Sequence, residues 1–211
     1  MQDREDLTIY IGAFKYEQFI EQIKTFHGNI APGVVLGGIM LEFARRHLPE
    51  GCIFDAVCET GYCLPDAVQI LTPCSIGNGW LKVLPWGRFA LSLYDKYTGE
   101  GIRCFLDPAK TVKWPELHSW FLKLKPKKEQ NLEGILQDIK MACFSIYGLQ
   151  KIRIKNTFRR KHEKGDIAIC PSCHEAYPKK DGNVCLGCHL MDQFDYYLSD
   201  QEPLSDGEVK K

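Results

Sequence analysis

This sequence lacks an excess of charge of either sign. Its 27 lysines and arginines are matched by 27 aspartates and glutamates. A net charge of zero argues against a chain built throughout to coat nucleic acid, although a local basic patch stays open. Long apolar runs are also missing. None reaches the roughly 20 residues of a membrane-crossing helix, so no membrane partner is expected. Residues 1–6 are charged and polar, with no apolar signal core behind them. There is no internal repeat and no low-complexity tract. What remains, 45 % hydrophobic and 26 % charged residues over a length of 211, is the composition of a soluble globular protein. That length allows one well-buried domain and a small second one.

Cysteine, in contrast, is plentiful. Ten cysteines without an export signal point to a reducing cytoplasm, where thiols bind metals or react rather than pair. Four of them form two Cys-x-x-Cys knuckles, Cys170/Cys173 and Cys185/Cys188. Each knuckle turns two thiolates toward a common point, and four sulfurs complete a tetrahedral shell for zinc. The plainer alternative is two incidental pairs of buried or disulfide-bonded cysteines. A four-Cys shell leaves no open position, so such a zinc holds structure rather than doing chemistry. Residues 178–183 read as the tip of a hairpin between the knuckles. Leu190, Phe194, Tyr197 and Leu198 recur at helical spacing, so the second knuckle should feed a helix. Knuckle, hairpin, and knuckle at a helix start make a treble clef. The positive end of that helix would offset the negative charge of a tetrathiolate zinc. His174 and His189 each follow a cysteine and are expected outside the metal shell.

Upstream, helical spacing over 14–26 (Phe14, Phe19, Ile23, Phe26) predicts an amphipathic helix that stops at His27-Gly28. Pro32-Gly33 opens a second helix. Gly37-Gly38 inside it costs roughly 1 kcal/mol per glycine relative to alanine, which close helix packing or a ligand would justify. A strand is expected at 53–58 and a third helix from Pro65-Asp66. Further strands are expected at about 80–84, 87–94 and 101–106, the last two joined by a turn at 96–101. Trp114-Pro115 opens a short helix reaching Leu124, and a basic stretch at 123–128 separates it from a long helix over 132–146. Helices interleaved with a few strands predict an α+β core with a mixed β-sheet flanked by helices. The expected organisation is a core at 1–148, a basic linker at 149–165, a zinc module at 166–200 and an acidic tail at 201–211. The linker is strongly charged: 151–164 holds seven lysines and arginines against one acid, Glu163. A solvated linker is the default reading, and a patch for nucleic acid or an acidic partner is the alternative.

A second set of residues suggests chemistry in the core. His27 ends a helix in a glycine loop. Cys63 lies at an expected helix start, where a thiolate is favoured. Asp66 and Gln69 share a helix face, and Cys74 follows in a loop with Cys58 nearby in sequence. They could converge into a site, or the cysteines could simply be small buried hydrophobes.

Residues 20–106 carry longer motifs. His27-Gly28-Asn29-Ile30-Ala31-Pro32-Gly33 is similar to the His-Gly-His-x-Cys-Pro-Gly motif of the FmdE family of formylmethanofuran dehydrogenase proteins. Cys63, Asp66-Ala67, Gln69, Leu71-Thr72, Cys74 and Gly77-Asn78-Gly79 match its Cys-x-x-Asp-Ala-x-Gln-x-Leu-Thr-Gly-Cys-Thr-x-Gly-x-Gly motif. Tyr94-Asp95, Thr98-Gly99 and Gly101 fit its hairpin. The resemblance implies a site at His27, Cys63, Asp66 and Cys74, sometimes metal-bound, in an α+β domain that often pairs as a homodimer. Some members of the family carry a C-terminal zinc finger. Asn29 and Ala31 stand where the family motif has His and Cys, which depletes the ligand set for a second metal in the core; an organic pocket ligand is the alternative. The resemblance also implies a methanogenesis-related role beside molybdenum or tungsten oxidoreductase subunits. Catalysis of formylmethanofuran oxidation by this chain alone is not expected, because the chain is short and its spare cysteines are scattered. Two rivals are an independent Cys/His-dependent or metal-dependent enzyme, and a docking module using the basic arm and zinc finger.

Overall fold

The computed structural model describes residues 9–159 and 165–190, and the chain divides into two units at Arg160. The first unit is α+β. A two-stranded hairpin, β1 (Tyr10–Ile11) with β2 (Phe14–Lys15), leads directly into α1 (Tyr16–His27). Helix α1 buries Tyr16, Phe19 and Ile23 and ends where Gly28 takes φ 86°, its N–H donating to Lys24 O at 3.1 Å. Helix α2 (Pro32–Arg45) is the central element, buried on nearly every side. Its two inner glycines are packing devices. A Cβ on Gly37 would lie 2.8 Å from Ala67 Cβ, and one on Gly38 would strike the Phe19 ring. Neighbouring helices therefore sit closer than alanine would allow.

The sheet has five strands in the order β4-β3-β5-β6-β7. They are β3 (Phe54–Cys58), β4 (Leu81–Val83), β5 (Ala90–Asp95), β6 (Glu100–Leu106) and β7 (Tyr147–Arg153). The β3–β4 pair is parallel, crossing over through α3 (Leu64–Leu71), and every other pair is antiparallel. After β6 come α4 (Pro108–Thr111), α5 (Pro115–Phe121) and α6 (Leu132–Ala142). The core lies between α1, α2, α3 and α6 and the facing side of the sheet, through Leu91, Leu93, Cys104 and Leu106. Tyr147 Oη donates to Leu36 O at 2.8 Å and ties β7 to α2.

Three expectations change here. The long helix over 132–146 stops at Ala142, because Cys143 takes φ 46° and the chain tightens into a 3-10 turn as far as Ile146. The supposed linker from 149 supplies most of β7, and α7 (Asn156–Arg159) follows it. Strand β7 is an edge, buried at Tyr147 and exposed at Gln150, Lys151 and Arg153. Helix α5 ends before Leu124, with Lys123 at φ 54°.

In the second unit, β8 (Ile167–Ile169) pairs antiparallel with β9 (Ala176–Pro178). The first knuckle is therefore the tip of this hairpin. The expected hairpin tip at 178–183 instead holds the end of β9 and a 3-10 turn at Lys179–Asp181, followed by α8 (Leu186–Leu190). The expected continuation through Phe194, Tyr197 and Leu198, and the acidic tail, lie outside the described residues.

Candidate functional site

The four knuckle cysteines come together. Their Sγ atoms all lie within 4.8 Å of one another, with Cys170–Cys188 at 3.8 Å and Cys173–Cys185 at 3.7 Å. A tetrahedron with Zn–S bonds of about 2.3 Å has edges of about 3.8 Å, so the cage fits zinc. Backbone amides also turn inward, Cys185 N–H to Cys170 Sγ at 3.4 Å and Cys188 N–H to Cys185 Sγ at 3.3 Å. Hydrogen bonds from the amides of Cys173 and Cys185 bring the Cys170 thiol down to about 6, whereas Cys173 and Cys188, hydrogen-bonded to the other thiols of the cage, are raised. His174 takes φ 63° directly after the first knuckle, and neither it nor His189 belongs to the cage.

The core residues are arranged differently. His27, the last residue of α1, places Nδ1 2.6 Å from Asp66 Oδ2 in the first turn of α3. The two side chains are 24 % and 29 % exposed. A carboxylate only accepts, so in a neutral ring Nδ1 carries the proton and Nε2 keeps its lone pair. Cys63 is the N-cap of α3 and takes φ 56°, ψ −49°, a conformation that side-chain-bearing residues rarely adopt. It lies against the start of α2: a Cβ on Gly33 would be 2.8 Å from Cys63 Cβ and 2.9 Å from its Sγ. The expected thiolate at this helix start is not what the surroundings favour. Burial, and then the charge of Asp66, push the Cys63 thiol up.

Cys74 does not join them. It is buried, and its Sγ donates to Phe54 O at 3.5 Å. Burial pushes its thiol up, and raises that of Cys58 well outside any working range. Among the described residues, the zinc cage is where three or more His, Cys, Asp or Glu side chains meet at ligand distance. His27, Cys63 and Cys74 do not form such a shell. Gln69 Oε1 accepts from Ile76 N–H at 3.4 Å and pins the following loop.

Beside Cys63 lies a cleft of about 530 Å³ that the sequence pattern did not reveal. Gly33, Cys63, Phe89, Trp120, Phe121 and Lys123 are among its lining residues. The basic stretch at 123–128 following an aromatic pair was visible in the sequence, but there it marked only a break between helices.

An α+β unit with a mixed five-stranded sheet, followed by a four-thiolate unit, defines a two-part protein with a treble-clef zinc finger at its C-terminal end. Comparison with known proteins makes this specific. Residues 26–154 match the model described as "FmdE, Molybdenum formylmethanofuran dehydrogenase operon", and residues 161–194 match "FmdE treble clef zinc finger". The chain belongs to the FmdE family. It is similar to the crystal structure of a tungsten formylmethanofuran dehydrogenase FmdE-like protein from Syntrophus aciditrophicus, with 49 % identity and a TM-score of 0.82. That match covers 90 % of this chain and 99 % of the other. A probable S-adenosyl-L-methionine-binding protein of Archaeoglobus fulgidus is 31 % identical over 108 residues. That stretch covers 47 % of this chain and 30 % of the relative.

Proposed function

We propose that this chain is an accessory or stand-alone relative of an anaerobic molybdenum or tungsten formylmethanofuran dehydrogenase, and that its core binds a ligand at the His27, Asp66 and Cys63 edge. The observation that carries this reading is the 2.6 Å contact between His27 Nδ1 and Asp66 Oδ2, in the same helix start that holds Cys63. The pair orients a ring whose second nitrogen stays open to a proton, a metal or a ligand. Cys74 packs the core in this reading. Oxidising a formyl group removes two electrons, and a redox centre must take them; partner proteins supply that centre here. Cytoplasmic location and a homodimer belong to the same proposal.

The test is anaerobic calorimetry with formylmethanofuran, together with co-purification with the dehydrogenase. Wild type should bind, and His27→Gln or Asp66→Asn should weaken binding about tenfold, the worth of one charge-assisted hydrogen bond. A chain that neither binds formylmethanofuran nor associates with the dehydrogenase would overturn the reading. S-adenosyl-L-methionine, taken from the Archaeoglobus relative's name, is the competing probe. Binding of it that depends on His27 would move the assignment to that ligand.

A further inference from the structure

The cleft beside Cys63 has a lining that the His27 site does not explain. Phe89 and Phe121 meet edge to face at 6.3 Å between centroids, and Trp120 adjoins Phe121 at 6.5 Å. Three partly buried rings thus form a continuous apolar wall. Tyr62, 83 % exposed, stands at the rim. The segment after α5 brings three lysines to the same opening: Lys123, Lys125 and Lys127. Lys125 has a carboxylate neighbour, Glu116 at 3.5 Å. Among the described residues, no acid pairs with Lys123 or Lys127. Like charges gathered at a low-dielectric wall without counter-ions draw an anion.

The backbone adds a second observation. Four non-glycine residues of the described chain take a positive φ, and two of them, Cys63 and Lys123, line this cleft. Such conformations cost of order 1–3 kcal/mol each and gather where function needs a fixed geometry. One sets the thiol against the start of α2, and the other opens the lysine segment directly after α5. Gln130 supplies an amide at the same mouth.

We propose that this cleft binds an organic anion with a flat apolar body, its rings against Phe89, Trp120 and Phe121 and its acidic end between Lys123 and Lys127. This deepens the reading that the Cys63 edge of the core is a ligand site and rests on it for location alone. The ligand lies beside Cys63 and excludes solvent from the thiol without reacting with it. A volume of about 530 Å³ is within the range of small-molecule and cofactor sites.

The probe is 1-anilinonaphthalene-8-sulfonate, which is flat, aromatic and anionic, used on the full chain with zinc present. Binding is read by fluorescence and located by protection of Cys63 from iodoacetamide, mapped on its peptide. The expected result is saturable binding that protects Cys63, weakened at least tenfold in Lys123→Gln/Lys127→Gln and in Trp120→Ala. Both lysines are exposed, so the double variant should fold, and Lys128→Gln is the control that should bind as wild type. Uncharged N-phenyl-1-naphthylamine should not distinguish the double variant from wild type. Equal sulfonate affinity in wild type and the double variant would overturn the proposal, as would binding that leaves Cys63 unprotected. If His27→Gln keeps full probe binding while losing formylmethanofuran, the cleft stands as a site of its own. If the lysine variant loses the probe and formylmethanofuran binds to neither protein, the cleft stands and the formylmethanofuran reading fails.

Discussion

Single residues set the local energetics, and Glu59 is the clearest case. Its side chain is buried, 4 % exposed, and burial by itself would raise the carboxyl. Arg103 opposes this with hydrogen bonds at 2.7 Å to both oxygens, and Arg88 adds a third contact at 2.7 Å. The balance holds the Glu59 carboxyl below its ordinary 4.5. A folded value below the unfolded one stabilises the protein fully above the ordinary carboxylate range, and that contribution is lost as pH falls through the folded value. Wild type should therefore lose thermal stability on acidification below about pH 4. Glu59→Gln should cost about 2–3 kcal/mol at pH 7, because it leaves the half-buried Arg103 without its counter-charge, and its melting temperature should fall less steeply in acid. Identical acid slopes for the two proteins would refute this account. Gly33 gives a second test at the same scale. Gly33→Ala places a Cβ within 2.9 Å of Cys63 Sγ and should cost about 1–3 kcal/mol by overpacking. Cys63→Gly in the same chain should recover most of that loss in denaturant titrations, since it removes both the clash and the positive-φ strain.

At the level of elements, periodicity was most legible where one face is buried and the other is not. Helix α1 was visible from Phe19 and Ile23, and the glycine pair in α2 was already readable as close packing. Gly38→Ala should cost about 1–3 kcal/mol in chemical denaturation, since α1 must move away from α2 to admit the methyl. Strand β7 was hidden because an edge strand needs few apolar residues. Ile152 alternates with Lys151 and Arg153, a pattern equally suited to a charged linker, and only its pairing with β6 reveals the strand. The break in α6 was hidden because a positive φ at Cys143 leaves no mark on hydrophobic spacing. In the zinc unit the ligands were legible from their spacing, whereas the hairpin was placed one segment late. The knuckle itself makes the turn, so β8 and β9 flank Cys170 and Cys173 rather than follow them. The core site was legible residue by residue through the family motif. Its convergence was not, because no local pattern says that His27 meets Asp66 while Cys74 turns toward Phe54.

For the whole molecule, the two units differ in what stabilises them. Every residue of the buried hydrophobic cluster belongs to the first unit. The described part of the second unit buries only Cys170 and Tyr177, too little apolar surface to fold a segment of that length without a staple. Structural zinc contributes folding free energy directly, so removing it should unfold the second unit and leave the first intact. A strong chelator, or Cys185→Ser, should abolish the amide protection of residues 165–190 while the protection of α2 and β5 stays at its original level. Hydrogen exchange resolved by peptide reads both together. A chain ending at Arg160 should melt cooperatively within about 1 kcal/mol of the first unit in the full chain, because no core contact is removed. Metal analysis of the same pair completes the test. One zinc per full chain and none in the shortened one is expected, since the thiolate cage lies wholly beyond the cut. Metal retained by the shortened chain would mean that His27 and Cys63 gather a shell on binding, and the core would then have to be treated as a metal site assembled by its ligand.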